Sequence, residues 1–553
     1  MEHALSEEDP ELRRPVSDSG SRTLAGEPPI SPAQYRIEGV SPSSRGKSRR
    51  PIACRLYVRR QSRPVAEAAL CRVFADMDGA AILGANAAVE WAGGLSYWAC
   101  EPREVFEFGG GSLTIPGQAC HNRVMPSEAN RHRVMLSEAK HLRRPVASQP
   151  FGELQRALDT YRLEDSRGCS LPRGAFAGGW IGYFGYELSR YIERLPETTV
   201  DDLRMPLIHL AFYDRFVCQD HRTGSWYLAA LDIEGDDEPV EAKFDALETL
   251  IERALDADEP DLPPADIECV DLERVRCNMD RAYYMEALAR IKRHIRDGDV
   301  YQINLSQRFA CPFAGSPVDL FAWQNRYNPS PFAAYLDDGR FQIVSASPEM
   351  FITLRDGWIS TRPIKGTRPR LDETANTRAA ALNAAARRSL LASPKEQAEL
   401  NMIIDLERND LARICAAGTR QVVEPRTLVA YPTVYHALAT VAGRVREGLS
   451  FCDVLWAVFP GGSITGAPKI RAMEIIDQTE PTARGVYTGS IGFIGIDDSA
   501  CLNIAIRTII LRQRTAFVQT GGGIVADSDP QDEWNETLTK ARALLAGIRA
   551  LQG

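Results

Sequence analysis

The chain has 553 residues, 44% of them hydrophobic and 25% charged, with a net charge of -9 and an isoelectric point near 5.6. That is a soluble globular composition with more chain than one ordinary core needs, and it lacks the basic surplus that a nucleic acid or an anionic membrane partner would require. Twelve cysteines stand singly between Cys54 and Cys501 without a C-x-x-C pair, and there is neither an apolar run of membrane length nor an apolar signal core, so a reduced cytoplasmic setting and small-molecule chemistry are expected.

Residues 1–50 are rich in Ser, Pro, Arg and Glu without apolar periodicity, and a disordered tail is expected there. A first lobe is expected over 51–266, beginning with strands near Ala80–Leu83 and Leu95–Cys100. It is interrupted at about 117–148 by a basic insertion in which Arg123–Ala129 recurs as Arg133–Ala139. Two copies are too few for a solenoid, so the insertion reads as a solvated surface segment or a partner-binding one. Gly178–Leu188 reads as a glycine-punctuated strand whose glycines serve either close packing or a small-molecule pocket, with further strands at 207–213 and 226–231. An acidic helix over 239–255 and an Asp- and Pro-rich linker then mark a boundary, after which 267–553 form the second region.

A helix over 281–297 buries Met285, Leu288, Ile291 and Ile295 along one side. Strands follow at 300–309, 332–336, 341–345 and 350–354. Their clustering, without alternating helices, predicts an α+β fold rather than a doubly wound one.

The stretch Ser360–Arg370 holds two prolines, one glycine and three arginines around Lys365, a composition suited to an anion-facing loop. A lysine amine with a pKa of about 10.4 needs burial or nearby cations to become a neutral nucleophile, so Lys365 reads either as that or as part of a plain basic patch. Ser393-Pro394-Lys395-Glu396 reads as a capping box opening a helix to about 415, with Glu399 on its apolar stripe. Asp529 and Pro530 open another, which sets Glu533, Glu536 and Lys540 on one side. Glu399 alone would be a buried salt bridge and Glu536–Lys540 a surface pair; together the carboxylates form an oxygen set suited to Mg²⁺. Gly521–Gly523, after a strand, would offer backbone N–H groups to a carboxylate. Phe459–Lys469 fails the P-loop pattern, so ATP is not implied. His436 is a candidate acid or a structural hydrogen bonder, and Arg507, in the apolar strand 502–509, demands an anion from the protein or a ligand.

Pro363–Thr367, Ala398-Glu399 with Asp405–Asp410, Pro460–Lys469 and Gly521–Asp527 together resemble the chorismate-utilising enzymes. The resemblance spans about 271–545, with a weaker continuation through Gly178–Leu188. It implies a fold of two orthogonal antiparallel β-sheets packed together with helices outside. Lys365, where anthranilate synthases carry alanine, points within the family to component I of aminodeoxychorismate synthesis. The resemblance also implies Mg²⁺ held by Glu399 and Glu536 with Glu533 close by, and chorismate carboxylates received by Arg507, Tyr487, Lys540 and the Gly522–Gly523 backbone. Thr367 would hold the substrate, Lys365 would attack the ring, and Glu349 and His436 would move protons. Ammonia would come from a glutaminase subunit, and tryptophan would be a ligand of the first lobe, although the usual Glu-Ser signature is not evident over 80–100. Two alternatives stay open: an anthranilate synthase or other chorismate lyase, and an inactive paralogue serving as a binding subunit.

Overall fold

The strands of the computed structural model fall into two sheets, and each draws on chain from both sides of the acidic linker. The structure describes residues 50–552 except 86–93, 110–149, 265–269, 271, 273–274 and 374–377. The expected tail and the 117–148 insertion therefore lie outside the described residues.

Among the described residues the larger sheet has thirteen strands. It runs from Arg276–Cys277 through Gln302–Pro312, Thr515–Ile524, Thr508–Arg512, Gln342–Ser347 and Phe332–Asp337 into the first-region strands Ala81–Leu83, Leu95–Ala99, Arg215–Asp220, Ser225–Ile233, Ile52–Gln61 and Tyr161–Gly168. The smaller has ten. It runs from Ile364–Pro369 through Val434–Arg444, Trp358–Arg362, Met350–Arg355, Ala500–Asn503 and Ser490–Gly495 to Gly179–Phe184, Ile208–Tyr213 and Glu104–Phe108. Pairing is antiparallel throughout, except where Ile52–Gln61 meets Tyr161–Gly168 in parallel.

Alternation of side chains along the strands explains why they read as unbroken apolar runs. Tyr97 and Ile343 join a core that also holds Phe351 and Phe493 of the smaller sheet, whereas their neighbours Trp98 and Val344 enter a second core under helices. The larger sheet is thus buried on both faces there, and neither face needs polar residues. The second core is closed by Glu67–Ala75, Val240–Leu255, Pro317–Tyr327 and Pro530–Ala550, with Trp98 and Trp323 fully buried in it. Each such aromatic contributes roughly 2–3 kcal/mol of burial.

The helix expected from 281 to 297 spans Arg281–Arg296, capped by Asp280. That expected from 393 spans Pro394–Ala412 with Ser393 as its cap. Its capping box is only half made: Ser393 accepts from the Glu396 amide, but the Glu396 carboxylate turns instead to Arg368 at 2.7 Å. The described cysteines are all free. No helix among the described residues is long and apolar enough to cross a membrane.

Candidate active site

Lys365 lies in a bulge between paired residues, not in a loop. Both Trp358–Arg362 and Ile364–Pro369 pair with Val434–Arg444, and Pro363, which lacks an N–H, separates them. On the second strand Ile364 faces Leu438 and Thr367 faces His436, so Lys365 and Gly366 together oppose the single residue Ala437 and the strand carries one extra residue. Such a bulge re-aims a side chain. Gly366 makes it possible with φ +89°, and a Cβ there would stand 2.7 Å from Leu390 and 2.9 Å from the Glu396 carboxyl carbon.

The arginines expected to crowd Lys365 are engaged elsewhere. Arg362 pairs with Glu424 at 2.8 Å, Arg368 with Glu396, and Arg370 donates to the Tyr431 carbonyl at 2.9 Å. The charges that feel half-buried Lys365 are instead the carboxylates Glu349 and Glu536. The stretch is therefore not a basic patch.

Glu349 precedes Met350–Arg355 and is 6% exposed. Burial raises its pKa, opposed by bonds from Ser463 and the Ile364 backbone and by the charges of Lys365 and Lys540. Its Oε1 is buried without a hydrogen-bond partner. A carboxyl with a raised pKa and one free oxygen is suited to exchange a proton with a ligand.

Nearby, His436 Nδ1 lies 2.9 Å from the Thr367 hydroxyl. Burial, then the charge of Arg507, lowers the His436 pKa to about 3, against a bond to the Gly366 backbone. The ring is therefore neutral at neutral pH.

Arg507 departs from the sequence expectation. The strand read over 502–509 is two strands, Ala500–Asn503 and Thr508–Arg512, in different sheets, and Arg507 lies in the crossing between them with φ +49°. The apolar run is continuous because both sheet faces are buried, which hides the break. Burial lowers the Arg507 pKa with no compensating carboxylate, and among the described residues its side chain makes no ion pair or hydrogen bond. Of the two sources of anion that the sequence left open, the described residues of the protein supply none.

Gly521–Gly523 also differ from expectation, lying inside Thr515–Ile524 and paired with Leu305 and its neighbours in Gln302–Pro312. The opposite edge is open, because pairing with Thr508–Arg512 stops at Val518. Over this edge come the carboxylates of helix Pro530–Ala550: a Cβ on Gly522 would meet Glu533 Oε2 at 3.0 Å and Glu536 Oε1 at 3.9 Å. Burial, outweighing a Ser528 bond, raises the Glu533 pKa, with the Glu536 charge adding to it. Burial would raise Glu536 too, but Lys540, Lys365 and Lys395 outweigh it and hold its pKa below the usual range. Lys540 bonds Glu536 at 2.7 Å and the Gly521 carbonyl at 2.8 Å.

Glu399 reaches the same neighbourhood from its own helix through Lys395, which lies 4.0 Å from it and whose charge is felt at both Glu533 and Glu536. These are hard oxygen donors of the kind that fits Mg²⁺, with Glu536 repelling Glu533, although Glu399 is not drawn into one cluster with the other two. Among the described residues, the single group of three possible ligands within 4.8 Å is Glu107, His209 and Asp338. There Arg340 bridges the two carboxylates, as an ion-pair network requires.

Tyr487 is 5% exposed, its pKa raised by burial, and it bonds Asn304 beside Arg484. Sequence reading missed Arg484 itself, which is 1% exposed and held by Glu480 at 2.7 Å, while Glu480 accepts from the Ser306 amide at 2.9 Å. Only their i,i+4 spacing hinted at the pair.

Phe459–Lys469 is pinned by Lys469, which bonds Asp410 at 2.5 Å and the Val458 and Pro460 carbonyls at 3.0 and 2.8 Å. This structural knot delivers Ser463 to Glu349. Between the sheets lies a separate cavity of about 670 Å³, lined among others by Tyr97, Phe332, Met350 and Phe493.

An enzyme site results, with an amine, a carboxyl whose pKa is raised and a neutral imidazole beside a guanidinium that has no ion-pair partner among the described residues and a carboxylate set. Residues 120–546 match the model of the chorismate binding enzymes, and the chain belongs to that family. Relatives split within it. The chain is 39% identical to anthranilate synthase component 1 of Pseudomonas aeruginosa over 388 residues, covering 68% of this chain and 76% of that one. It is 37% identical to aminodeoxychorismate synthase component 1 of Bacillus subtilis over 369 residues, covering 67% and 76%. A crystal structure of anthranilate synthase component I from Streptococcus pneumoniae superposes with a TM-score of 0.64 at 29% identity, covering 81% of this chain and 92% of that one.

Proposed function

We propose that this protein is the synthase component of aminodeoxychorismate formation, converting chorismate and ammonia to 4-amino-4-deoxychorismate. The observation that carries this reading is the Lys365 bulge, whose amine charge is felt by both Glu349 and Glu536. Arg507 and the open edge at Gly522–Gly523 receive the substrate carboxylates. The Lys365 amine bonds to ring C2 as the ring double bonds shift and the C4–O bond breaks, the hydroxyl leaving as water with the Glu349 proton. Ammonia then bonds to C4 as the double bonds shift back and the C2–N bond breaks to return the neutral lysine amine, and the surplus proton on the new nitrogen restores Glu349 to its acid form. His436, bonded to Thr367, is the second proton acceptor. Glu399, Glu533 and Glu536 would hold Mg²⁺, which when bound would neutralise a substrate carboxylate.

The ammonia source in this reading is a separate glutaminase subunit, and the intersheet cavity is the place for a tryptophan ligand. Purified protein given chorismate, Mg²⁺ and an ammonium salt should yield aminodeoxychorismate without pyruvate. Anthranilate and pyruvate without an added lyase would replace this reading with that of an anthranilate synthase. Absence of any turnover, with chorismate still bound, would favour an inactive binding subunit.

A further inference from the structure

Beside Glu349, two more buried carboxylates feel one lysine. Glu407 and Asp410 are 5% and 4% exposed, on adjacent turns of Pro394–Ala412. Lys469 pairs with Asp410 at 2.5 Å and spends its remaining bonds on backbone carbonyls, so it leaves Glu407 without a cation of its own. Glu407 Oε1 accepts from the Gly462 amide at 3.2 Å, and its carboxyl also bonds Thr361. The residue after Gly462 is Ser463, the hydroxyl that bonds Glu349. Gly462 has no room for a side chain, since a Cβ there would stand 2.6 Å from Leu406 and 3.1 Å from Glu407 Oε1. Two consecutive residues of one turn therefore link the two carboxyls.

From this geometry we infer that Glu407 is a positioning residue for Glu349: it fixes the turn that presents Ser463, and its ionisation is transmitted to the Glu349 carboxyl. Burial first, then Asp410, raises the Glu407 pKa to about 7, with Lys469 and Thr361 opposing and Glu349 adding to the rise. Near neutrality Glu407 thus exchanges its proton. When it is ionised, its negative charge favours the protonated form of Glu349, the form the proposed acid step needs. The other charges facing Glu349 are Lys365 and Lys540, which oppose this, and those facing Glu407 are Asp410 and Lys469.

The inference gives Glu349 its catalytic meaning through the proposed reaction, but its test does not need turnover. Difference infrared titration of the full chain should show a protonated-carboxyl band that is lost in Glu349→Gln. In Glu407→Gln, which keeps the acceptor for Gly462 but not the charge, that band should titrate at a pH lower by about half a unit or more. Glu407→Met, similar in volume and unable to ionise, should give the same displacement if the amide variant fails to fold. An unmoved midpoint in a folded variant would overturn the inference. Where the wild type also turns over, the alkaline limb of kcat should move down in Glu407→Gln with little change in KM. If no aminodeoxychorismate forms at all, the reaction assignment fails while the infrared result still decides the Glu407–Glu349 link.

Discussion

The Thr367 hydroxyl and His436 Nδ1 stand 2.9 Å apart across the strand pair that carries the Lys365 bulge. With its pKa near 3, the ring faces the site as a neutral donor and acceptor rather than a fixed cation. That suits its position, where the Arg507 charge already disfavours another cation.

Stability should record this. A histidine titrates near 6.5 when unfolded, so between that value and about 3 the unfolded chain binds a proton that the fold refuses. The contribution is complete above pH 6.5 and is lost as pH falls toward 3. Between pH 7 and pH 5 the wild type should lose about 2 kcal/mol more unfolding free energy than His436→Gln, measured by urea denaturation. Parallel losses in both proteins would remove the burial argument.

Lys365→Ala should lower aminodeoxychorismate formation by about 10³-fold or more, equivalent to roughly 4 kcal/mol of barrier, with the chorismate dissociation constant changed only a few-fold. Equilibrium binding and single-turnover product analysis separate the two quantities. Turnover within about tenfold of wild type would deny the amine a covalent role.

How far these residues were legible in the sequence depended on whether their signal was local. Proline at the first turn and a capping Ser or Asp located the helices that carry Glu399 and Glu536, because those rules act within four residues. The bulge at Lys365 was not legible as one: its proline and glycine look like loop residues until the strand Val434–Arg444 pairs with both sides of them. The need of Arg507 for an anion is legible in the sequence, but the break in its strand is not, since the apolar run continues as the chain passes from one sheet to the other. Glu407 gave no signal because its partners Gly462 and Thr361 are distant in sequence and meet it only in the fold.

Arg507→Gln should raise KM for chorismate by about 10²-fold, near 3 kcal/mol, since a buried guanidinium facing a carboxylate is a charge-assisted contact. Arg507→Lys should recover only part of it, lacking the fork. Thermal unfolding should be unchanged or slightly raised in both, because Arg507 has no side-chain partner to lose among the described residues. A marked drop in melting temperature would instead reveal an internal anion.

Arg484 is the contrasting arginine, fully supplied by its own fold. It bonds both Glu480 oxygens, the Ile464 carbonyl and the Asn304 carbonyl, and its guanidinium lies 4.8 Å from the Tyr186 ring centre. Arg484→Met should cost about 3–5 kcal/mol of unfolding free energy, chiefly because Glu480 is then buried without its cation. Adding Glu480→Gln should restore part of that loss, since the amide can still accept from the Ser306 amide and hydroxyl. Denaturant unfolding of the two single variants and the double variant measures the coupling. Strict additivity would mean that the pair contributes little beyond its separate contacts, and that Tyr487 is held in place by Asn304 without their help.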